Sequence, residues 1–459
     1  MAQKKRDIIF INICSNNDYN KTHRIKQKGL KMEAYDINEI VEYFRSGCKT
    51  DSKSYLGLEL EHFIVDKETG KNIDYYGEGG IEEILKGISP FFDETAMSNG
   101  HVIGLNSRNI KITLEPGAQI EISIKQQKKL ADTAKIYDAF IFMIEPVLAA
   151  RNYEMVTLGY LPRSKVDEIS LIPKDRYKYM DVYFRKSGIC GRNMMRGTAA
   201  TQVSIDYGSE KEFMIKYRAA SILAPVLSLI SDNSPVFEGG LYEKNLLRQY
   251  IWENVDYDRP MTVPSLDDPY FGFRQYAGFV YGVPQIISAE AGSDISGKDK
   301  YLPKNLYAGR KIEKTDIETI LSMVFPDVRL KTYIEIRVAD SMPIEYVISY
   351  MALIKGLFMD TGRLESLIAL LGQVKVADIV DARKELIKNG FDGIIYGRDV
   401  KTIIRKIYNL AESQLADEEL GYLGTLRDMI YDNKNLALIY KANSKCEDKQ
   451  RVCGEYYVG

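Results

Sequence analysis

Few residues of this chain are suited to soft-metal or redox chemistry. Its 459 residues include only five cysteines and three histidines. The cysteines form no Cys-x-x-Cys pair and no even set, which disfavours both a zinc site built on thiolate and imidazole and a disulfide framework. A reduced cytoplasmic setting is the simplest interpretation, and a single disulfide between Cys446 and Cys453 is the alternative left open.

The chain also lacks an excess of charge and a long apolar run. Its 62 basic and 64 acidic residues give a formal net charge of -2, so electrostatics give no reason to expect nucleic acid or an anionic membrane as a partner. The longest apolar runs, such as residues 222–230, are far shorter than the roughly 20 residues of a membrane-spanning helix. We therefore expect neither a nucleic-acid partner nor a membrane partner.

Two common catalytic signatures are missing as well. The sequence contains no Gly-Lys-Ser/Thr, which excludes a Walker-type phosphate-binding loop. No serine or cysteine stands in a nucleophile elbow. Chemistry that needs such a nucleophile is therefore not indicated.

The most informative stretch is Leu58-Glu59-Leu60-Glu61-His62-Phe63. Side chains alternate between the two faces of a β-strand, so Glu59 and Glu61 project together from one face while Leu58 and Leu60 anchor the other. Neighbouring carboxylates repel each other, and a divalent cation between them is the natural counter-charge.

The same alternation of polar and apolar residues recurs in three later stretches. They are Glu115–Ser123, Thr201–Asp206 and Ile334–Arg337. If these strands are neighbours in a sheet, one face collects carboxylates together with an amide and an arginine. Oxygen ligands of this kind suit magnesium or manganese, and enzyme-bound magnesium usually carries substrate phosphates. Nucleotide chemistry is therefore the first reaction class to expect.

Two plainer interpretations stand beside this one. A lone glutamate on an alternating strand is most simply part of a solvated sheet face. Glu335 and Arg337 are explained as well by a structural salt bridge as by catalysis. Polar residues at matching spacing on four strands weaken the first interpretation, whereas the second stays open.

The order of the patterns predicts an α+β fold. Strand patterns dominate up to about residue 340, and the rest of the chain has the spacing of helices. We predict a disordered leader over residues 1–31, polar and lysine-rich from residue 15 onward, and a single catalytic domain over residues 32–459. The alternative for residues 1–31 is an artefact of where the reading frame was taken to begin.

Seven motifs, in order along the chain from about Ile37 to the helical C-terminus, point to a known family. They are Gly57–Phe63, Leu114–Ser123, Arg176–Met180 with Tyr183 and Phe184, Gly191–Met195, Thr198–Asp206, Arg248–Trp252 with Asp256 and Arg259, and Phe325–Arg337 with Ala339 and Asp340. Together they closely resemble the glutamate-cysteine ligases of the plant and proteobacterial type. Several motifs are long, so chance agreement is implausible.

The resemblance implies a glutamine synthetase-like fold, in which an antiparallel sheet curves into a funnel and is backed by helices. It implies ATP-dependent joining of glutamate and cysteine into γ-glutamylcysteine through γ-glutamyl phosphate, the first step of glutathione biosynthesis. Mg²⁺, or Mn²⁺ in its place, would bridge ATP and glutamate. We expect a monomer or a homodimer.

The resemblance also assigns residues by position. The implied metal ligands are Glu59, Glu61, Glu115, Glu121, Gln202 and Glu335. Arg337 and Arg259 are the implied stabilisers of the transferring phosphoryl group, and Arg248 and Trp252 the implied substrate contacts.

Two stretches depart from the family pattern. Val338 stands where glycine is more usual, and residues 278–283 differ from the family's run before Pro284. Both are expected near the substrate-facing strands, so the reaction type is better supported than the amine. The alternatives are a ligase that couples glutamate to a different amine and a catalytically silent homologue that binds a metal or an amino acid.

Overall fold

The computed structural model describes residues 36–49, 55–286 and 298–446. The predicted leader, residues 1–31, lies outside these ranges, and so does Cys453, one half of the disulfide alternative. Statements about the fold below concern the described ranges.

The strands give the molecule one large open sheet and two small hairpins. Nine strands form the large sheet, in the order β10-β11-β7-β1-β5-β4-β3-β2, with β6 paired to the end of β1. All of its pairings are antiparallel. The strands are β1 (Leu56–Asp66), β2 (Glu94–Ser98), β3 (His101–Asn106), β4 (Ile110–Leu114), β5 (Ile120–Gln127), β6 (Tyr153–Val156), β7 (Ala200–Ile205), β8 (Val236–Phe237), β9 (Gly240–Leu241), β10 (Val328–Leu330), β11 (Ile334–Asp340), β12 (Ile394–Ile395) and β13 (Arg398–Asp399).

β1 is the central strand and has the alternation that its sequence predicts. Leu58 and Leu60 are buried, at 2% and 0% exposure. His62 follows on the same face, and its Nε2 lies 3.0 Å from the hydroxyl of Tyr137 in the helix Leu130–Ala149. That helix therefore covers the apolar face, which leaves the glutamates of β1 on the opposite one.

Helices make up most of the remaining structure. Their bounds are Asp36–Arg45, Ile81–Ile88, Leu130–Ala149, Asp175–Ser187, Gly191–Gly197, Glu210–Ile230, Leu247–Glu253, Phe273–Tyr281, Pro303–Leu306, Lys314–Leu321, Ile344–Phe358, Thr361–Ala369, Val376–Asn389, Val400–Glu412, Asp417–Leu420, Gly424–Asp432 and Leu436–Cys446.

The helix Glu210–Ile230 is apolar over most of its length. The hydroxyl of Ser209 caps its N-terminus by accepting from the Glu212 amide at 3.1 Å. The helix runs through Pro225 without a break. Among the described helices it is the one long and apolar enough to cross a membrane, but 83% of its apolar window is buried inside the protein.

The α+β expectation is confirmed. After Asp340 the described chain is helical except for the two-residue strands β12 and β13, which the sequence patterns did not predict. Residues 278–283 lie at the end of the helix Phe273–Tyr281 and in the turn after it. The Tyr276 hydroxyl of that helix accepts from the Leu330 amide of β10 at 3.0 Å. The sheet is open rather than closed, since β10 and β2 are its two ends.

Shortening Leu60 tests the importance of the apolar face of β1. We expect Leu60→Ala to lower the free energy of unfolding by about 2–5 kcal/mol, because it leaves a cavity under the central strand. Phe142→Ala is the control: Phe142 is 78% exposed, so its loss should change stability by about 0.5 kcal/mol or less. Chemical denaturation measures both, and equal effects would contradict this placement of Leu60.

Candidate active site

Four neighbouring strands, β11, β7, β1 and β5, bring the predicted polar residues onto one face of the sheet. In the register of these strands Glu61 faces Glu121, and Glu59 faces Gln202. β11 pairs with the opposite edge of β7, where Glu335 faces Ser204. The motifs therefore lie on neighbouring strands, and their polar side chains share one face of the sheet, as the spacing predicted.

A chain of hydrogen bonds runs across three of these strands. The carboxylate of Glu61 accepts from the Ala200 amide at 2.8 Å and from Gln202 Nε2 at 3.1 Å. The side-chain carbonyl of Gln202 accepts from Arg337 Nη1. Gln202 thus connects a glutamate on β1 with an arginine on β11.

Three cations surround the side chain of Glu335, which is fully buried. Its two oxygens lie 2.7 Å from Arg329 Nε, 2.9 Å from Lys331 Nζ and 2.9 Å from Arg337 Nη1. Burial acts to raise the pKa of Glu335, but these three charges outweigh it and hold that pKa well below its usual range. The salt bridge considered for Glu335 and Arg337 is therefore present, as part of a larger ion cluster.

The pKa values of three other glutamates are raised, in contrast to that of Glu335. Burial, followed by repulsion from Glu121 and Glu335, raises the pKa of Glu59 to about 7. Burial and the charge of Glu115 raise the pKa of Glu61 and that of Glu121. These groups therefore lack the counter-charge that full ionisation needs. We call Glu59, Glu61, Glu115 and Glu121 the acidic cluster, and Arg329, Lys331 and Arg337 around Glu335 the basic cluster.

Glu115 reaches the acidic cluster from a turn rather than from a strand. It follows β4, and its amide donates to the Gln119 carbonyl at 3.0 Å. Ala118, at φ +66°, supplies the left-handed conformation that closes the turn. The side chain of Gln119 fixes the turn by accepting from the Gly117 amide at 2.9 Å. Gln119 is thus structural, although it shares the spacing of the glutamates.

Arg248 and Trp252 lie one helical turn apart on the helix Leu247–Glu253. With Arg337 and Phe325 they line a small cavity of about 10 Å³, the size of a single water site. The Trp252 ring packs on Phe325 with ring centroids 5.6 Å apart. Both predicted substrate contacts therefore adjoin Arg337.

Arg259 is held elsewhere by its own partners. Its Nε donates to the Met323 carbonyl at 2.8 Å, and its terminal nitrogens donate to Tyr183, Asp256 and Pro284. None of these partners belongs to the acidic or the basic cluster. The structure therefore brings Arg337, but not Arg259, into contact with the predicted metal ligands, and a phosphoryl-stabilising role for Arg259 stays a prediction.

The oxygen-rich donor set fits a hard divalent cation in type and in charge, since buried carboxylates with raised pKa values gain most from one. Over the described ranges, however, no three His, Cys, Asp or Glu side chains stand close enough together to hold an ion by themselves. Glu335 differs from the other predicted ligands because it already has three cationic partners.

Two basic residues of the site were not assigned by sequence reasoning. Arg329 faces Glu335 across the pairing of β10 with β11, and Lys331 stands in the tight connection between them. Their signal was present in the run Arg-Leu-Lys-Thr-Tyr-Ile-Glu-Ile-Arg. It is visible only if residues 328–336 are recognised as a hairpin, which brings Arg329 opposite Glu335.

Comparison with known proteins finds a matching family and several similar chains. The family model for glutamate-cysteine ligase family 2 (GCS2) matches residues 55–389. Chloroplastic glutamate-cysteine ligases are similar: that of Arabidopsis thaliana is 31% identical over 76% of this chain and 67% of its own length, and that of Brassica juncea is 29% identical over 85% and 78%. A crystal structure of glutamate-cysteine ligase from Francisella tularensis in complex with AMP superposes with a TM-score of 0.53 at 12% identity, over 86% of this chain and 85% of that one. The structural likeness supports the fold.

Neutralising Glu335 should damage the protein's stability. Glu335→Gln leaves Arg329, Lys331 and Arg337 buried or half-buried without their counter-charge, so we expect a loss of about 3–5 kcal/mol in the free energy of unfolding. Denaturant titration at neutral pH measures the loss. As a control, Glu94→Gln on the exposed edge strand β2 should change stability by about 0.5 kcal/mol or less. A Glu335→Gln variant as stable as the parent would contradict the ion cluster.

Neutralising Glu59 should have the opposite effect in metal-free buffer. Because the folded pKa of Glu59, about 7, lies above its ordinary value of 4.5, the folded state binds the proton more tightly, and stability falls as pH rises between these values. Glu59→Gln removes that loss. We therefore expect the free energy of unfolding of the variant, relative to that of the parent, to rise by about 1–3 kcal/mol from pH 5 to pH 8. Unfolding at both pH values, with Glu94→Gln as control, measures the gain, and a loss at pH 8 would contradict it.

Proposed function

The chain belongs to glutamate-cysteine ligase family 2, and on this premise we propose that the acidic and basic clusters form its catalytic centre. The reaction joins the γ-carboxylate of L-glutamate to the amine of L-cysteine with consumption of ATP. Its products are γ-glutamylcysteine, ADP and phosphate, and it is the first step of glutathione biosynthesis.

The observation that carries the proposal is the contact between the two clusters on one sheet face. Gln202 bonds to Glu61 of the acidic cluster and to Arg337 of the basic cluster. A ligase of this kind must hold an anionic phosphoryl group and the cations that accompany it side by side. A basic cluster beside an acidic one supplies both environments within one site.

Magnesium is a proposal that follows from the donor set. Glu59, Glu61, Glu115 and Glu121 would hold it. Gln202, whose side-chain carbonyl accepts from Arg337, and Glu335 would each join only by giving up a bond to the basic cluster. Mg²⁺ in enzymes commonly takes one or two carboxylates and completes its coordination with substrate phosphates, so a cluster of three protein carboxylates is not required. When bound, the ion neutralises charge on the phosphoryl oxygens.

The chemistry then needs no side-chain nucleophile. In the first step a γ-carboxylate oxygen of glutamate attacks the γ-phosphorus of ATP, and ADP leaves. In the second the cysteine nitrogen attacks the acyl carbon, loses a proton, and phosphate leaves. Arg337, with Lys331 and Arg329 behind it, provides fixed positive charge where negative charge develops on the phosphoryl oxygens. Holding the two substrates in line supplies much of the remaining rate enhancement.

Several finer assignments stay proposals. Trp252 is proposed to contact substrate because it adjoins Arg337 at the small cavity. Arg259 is proposed to act in phosphoryl transfer on the resemblance alone. The cytoplasmic setting rests on the cysteine count, while the plant relatives are named as chloroplastic. A monomer and a homodimer are both compatible with the proposal.

The test is ADP release by the purified protein with ATP, glutamate, Mg²⁺ and a panel of amines that includes cysteine, 2-aminobutyrate, alanine and ammonia. We expect cysteine to give the highest kcat/KM and omission of Mg²⁺ to abolish turnover. Arg337→Gln should lower kcat about 100- to 1000-fold, the usual cost of removing a donor that stabilises developing charge. Arg274→Gln, which changes an exposed arginine outside both clusters, should leave kcat unchanged.

Two results would overturn parts of the proposal. A preference for another amine would replace cysteine as the acceptor while keeping the ligase chemistry. An absence of ADP release with every amine would favour a silent binding protein over an enzyme.

A further inference from the structure

β11 contains an irregularity at the position of Arg337. Ile336 pairs with Val203 of β7, but the next paired residue of β11 is Ala339, which faces Thr201. Arg337 and Val338 together therefore face the single residue Gln202, which is a β-bulge. A bulge removes backbone groups from the ladder and re-aims a side chain.

Arg248 binds the carbonyl groups of this bulge. Its Nη2 donates to the Arg337 carbonyl at 2.9 Å and its Nη1 to the Val338 carbonyl at 3.2 Å. Nη1 also lies 3.9 Å from a carboxylate oxygen of Asp340, two residues beyond the bulge. One planar guanidinium thus holds both irregular residues of β11 at once.

Asp340, which lies beside Arg248, is held in place by hydrogen bonds of its own. Its Oδ2 accepts from the Asn233 amide at 2.9 Å and from the Ser234 hydroxyl at 2.6 Å. Arg248 is only 4% exposed. A side chain this buried, with both terminal nitrogens donated to backbone, is poorly suited to releasing them to a substrate.

The Arg337 side chain extends from the bulge to partners on β7 and β11. From this position Arg337 Nη1 reaches both Gln202 and Glu335, and its amide donates to the Asp327 carbonyl at 2.9 Å. An error of about 1 Å in the placement of such a group can lower a rate about 100-fold.

We propose that Arg248 is a positioning residue, which holds the bulge of β11 in the conformation that directs Arg337 at the transferring phosphoryl group. This positioning role replaces the substrate contact that the family resemblance implied for Arg248. The inference rests on the proposed role of Arg337 in phosphoryl transfer.

The test compares Arg248→Lys with the parent in steady-state kinetics. A lysine retains the charge but cannot hold two carbonyls in a planar fork. We expect kcat to fall about 10- to 100-fold, while KM for glutamate, cysteine and ATP changes less than about threefold. A rise in KM for one substrate with unchanged kcat would assign Arg248 to substrate binding and overturn the proposal.

A double-mutant cycle shows whether Arg248 acts through Arg337. In an Arg337→Lys background, Arg248→Lys should lower kcat much less than in the parent, because the group that it positions is already altered. An undiminished effect in that background overturns the inference. A parental kcat for Arg337→Lys would instead reject the proposed function of Arg337, so the two failures are distinguishable.

Hydrogen exchange provides a measurement that does not depend on activity. Exchange of the backbone amides over residues 334–340 should quicken in Arg248→Lys and stay unchanged in Arg274→Lys, which makes the same substitution at an exposed arginine outside both clusters. Parental exchange in Arg248→Lys contradicts the proposal. If Arg248→Lys does not fold, Asp340→Asn weakens the same support and should lower kcat in the same direction, with KM unchanged; an unchanged kcat counts against the proposal.

Discussion

The repulsion among carboxylates placed on one face of a buried sheet is the constraint on which the rest of the site depends. Glu61 and Glu121 face each other directly across β1 and β5, and Glu59 stands two residues away on the same face. Loss of hydration and mutual repulsion raise their pKa values. Their ionised forms destabilise the native state unless a positive charge lies nearby.

Most of the positive charge that contacts this face is concentrated around Glu335, whereas on the acidic side Arg248 lowers the pKa of Glu61 without outweighing its burial. Arg329, Lys331 and Arg337 neutralise Glu335, and Gln202 connects this cluster to Glu61. The acidic side is left to be completed by a cation that arrives with the nucleotide, in the proposed reaction. A phosphoryl-transfer site needs fixed donors for the phosphoryl oxygens and carboxylates for the accompanying ion. In the proposed site the basic cluster provides the donors and the acidic cluster provides the carboxylates.

Precision in this site comes from backbone irregularities as much as from side chains. The bulge at Arg337 and Val338 and the turn Glu115–Gln119 both depart from regular strand geometry, and each is held by a buried polar side chain, Arg248 in one case and Gln119 in the other. Such anchors satisfy backbone groups that the ladder has released. Arg248 and Gln119 both lie within the family motifs. Neither belongs to a charged cluster, and each instead holds an irregular stretch of backbone that carries a residue of one.

The sequence by itself determined the alternation of the strands, the α+β order of the elements and most of the residues on the acidic face, because a period of two depends only on local backbone geometry. It also carried the motifs of the family, and with them the reaction. Only the tertiary structure decided which groups meet. Strand register paired Glu61 with Glu121 and gave Glu335 three cations, one of them from β10, while burial fixed Arg259 to Tyr183 and Asp256 rather than to the acidic cluster. The pairing of Glu61 with Glu121 and the contact of Arg259 with Tyr183 join residues far apart in the chain, whose distances no local pattern encodes. The cations of Glu335 are near it in sequence, but they meet it only because residues 328–340 fold into the β10–β11 hairpin.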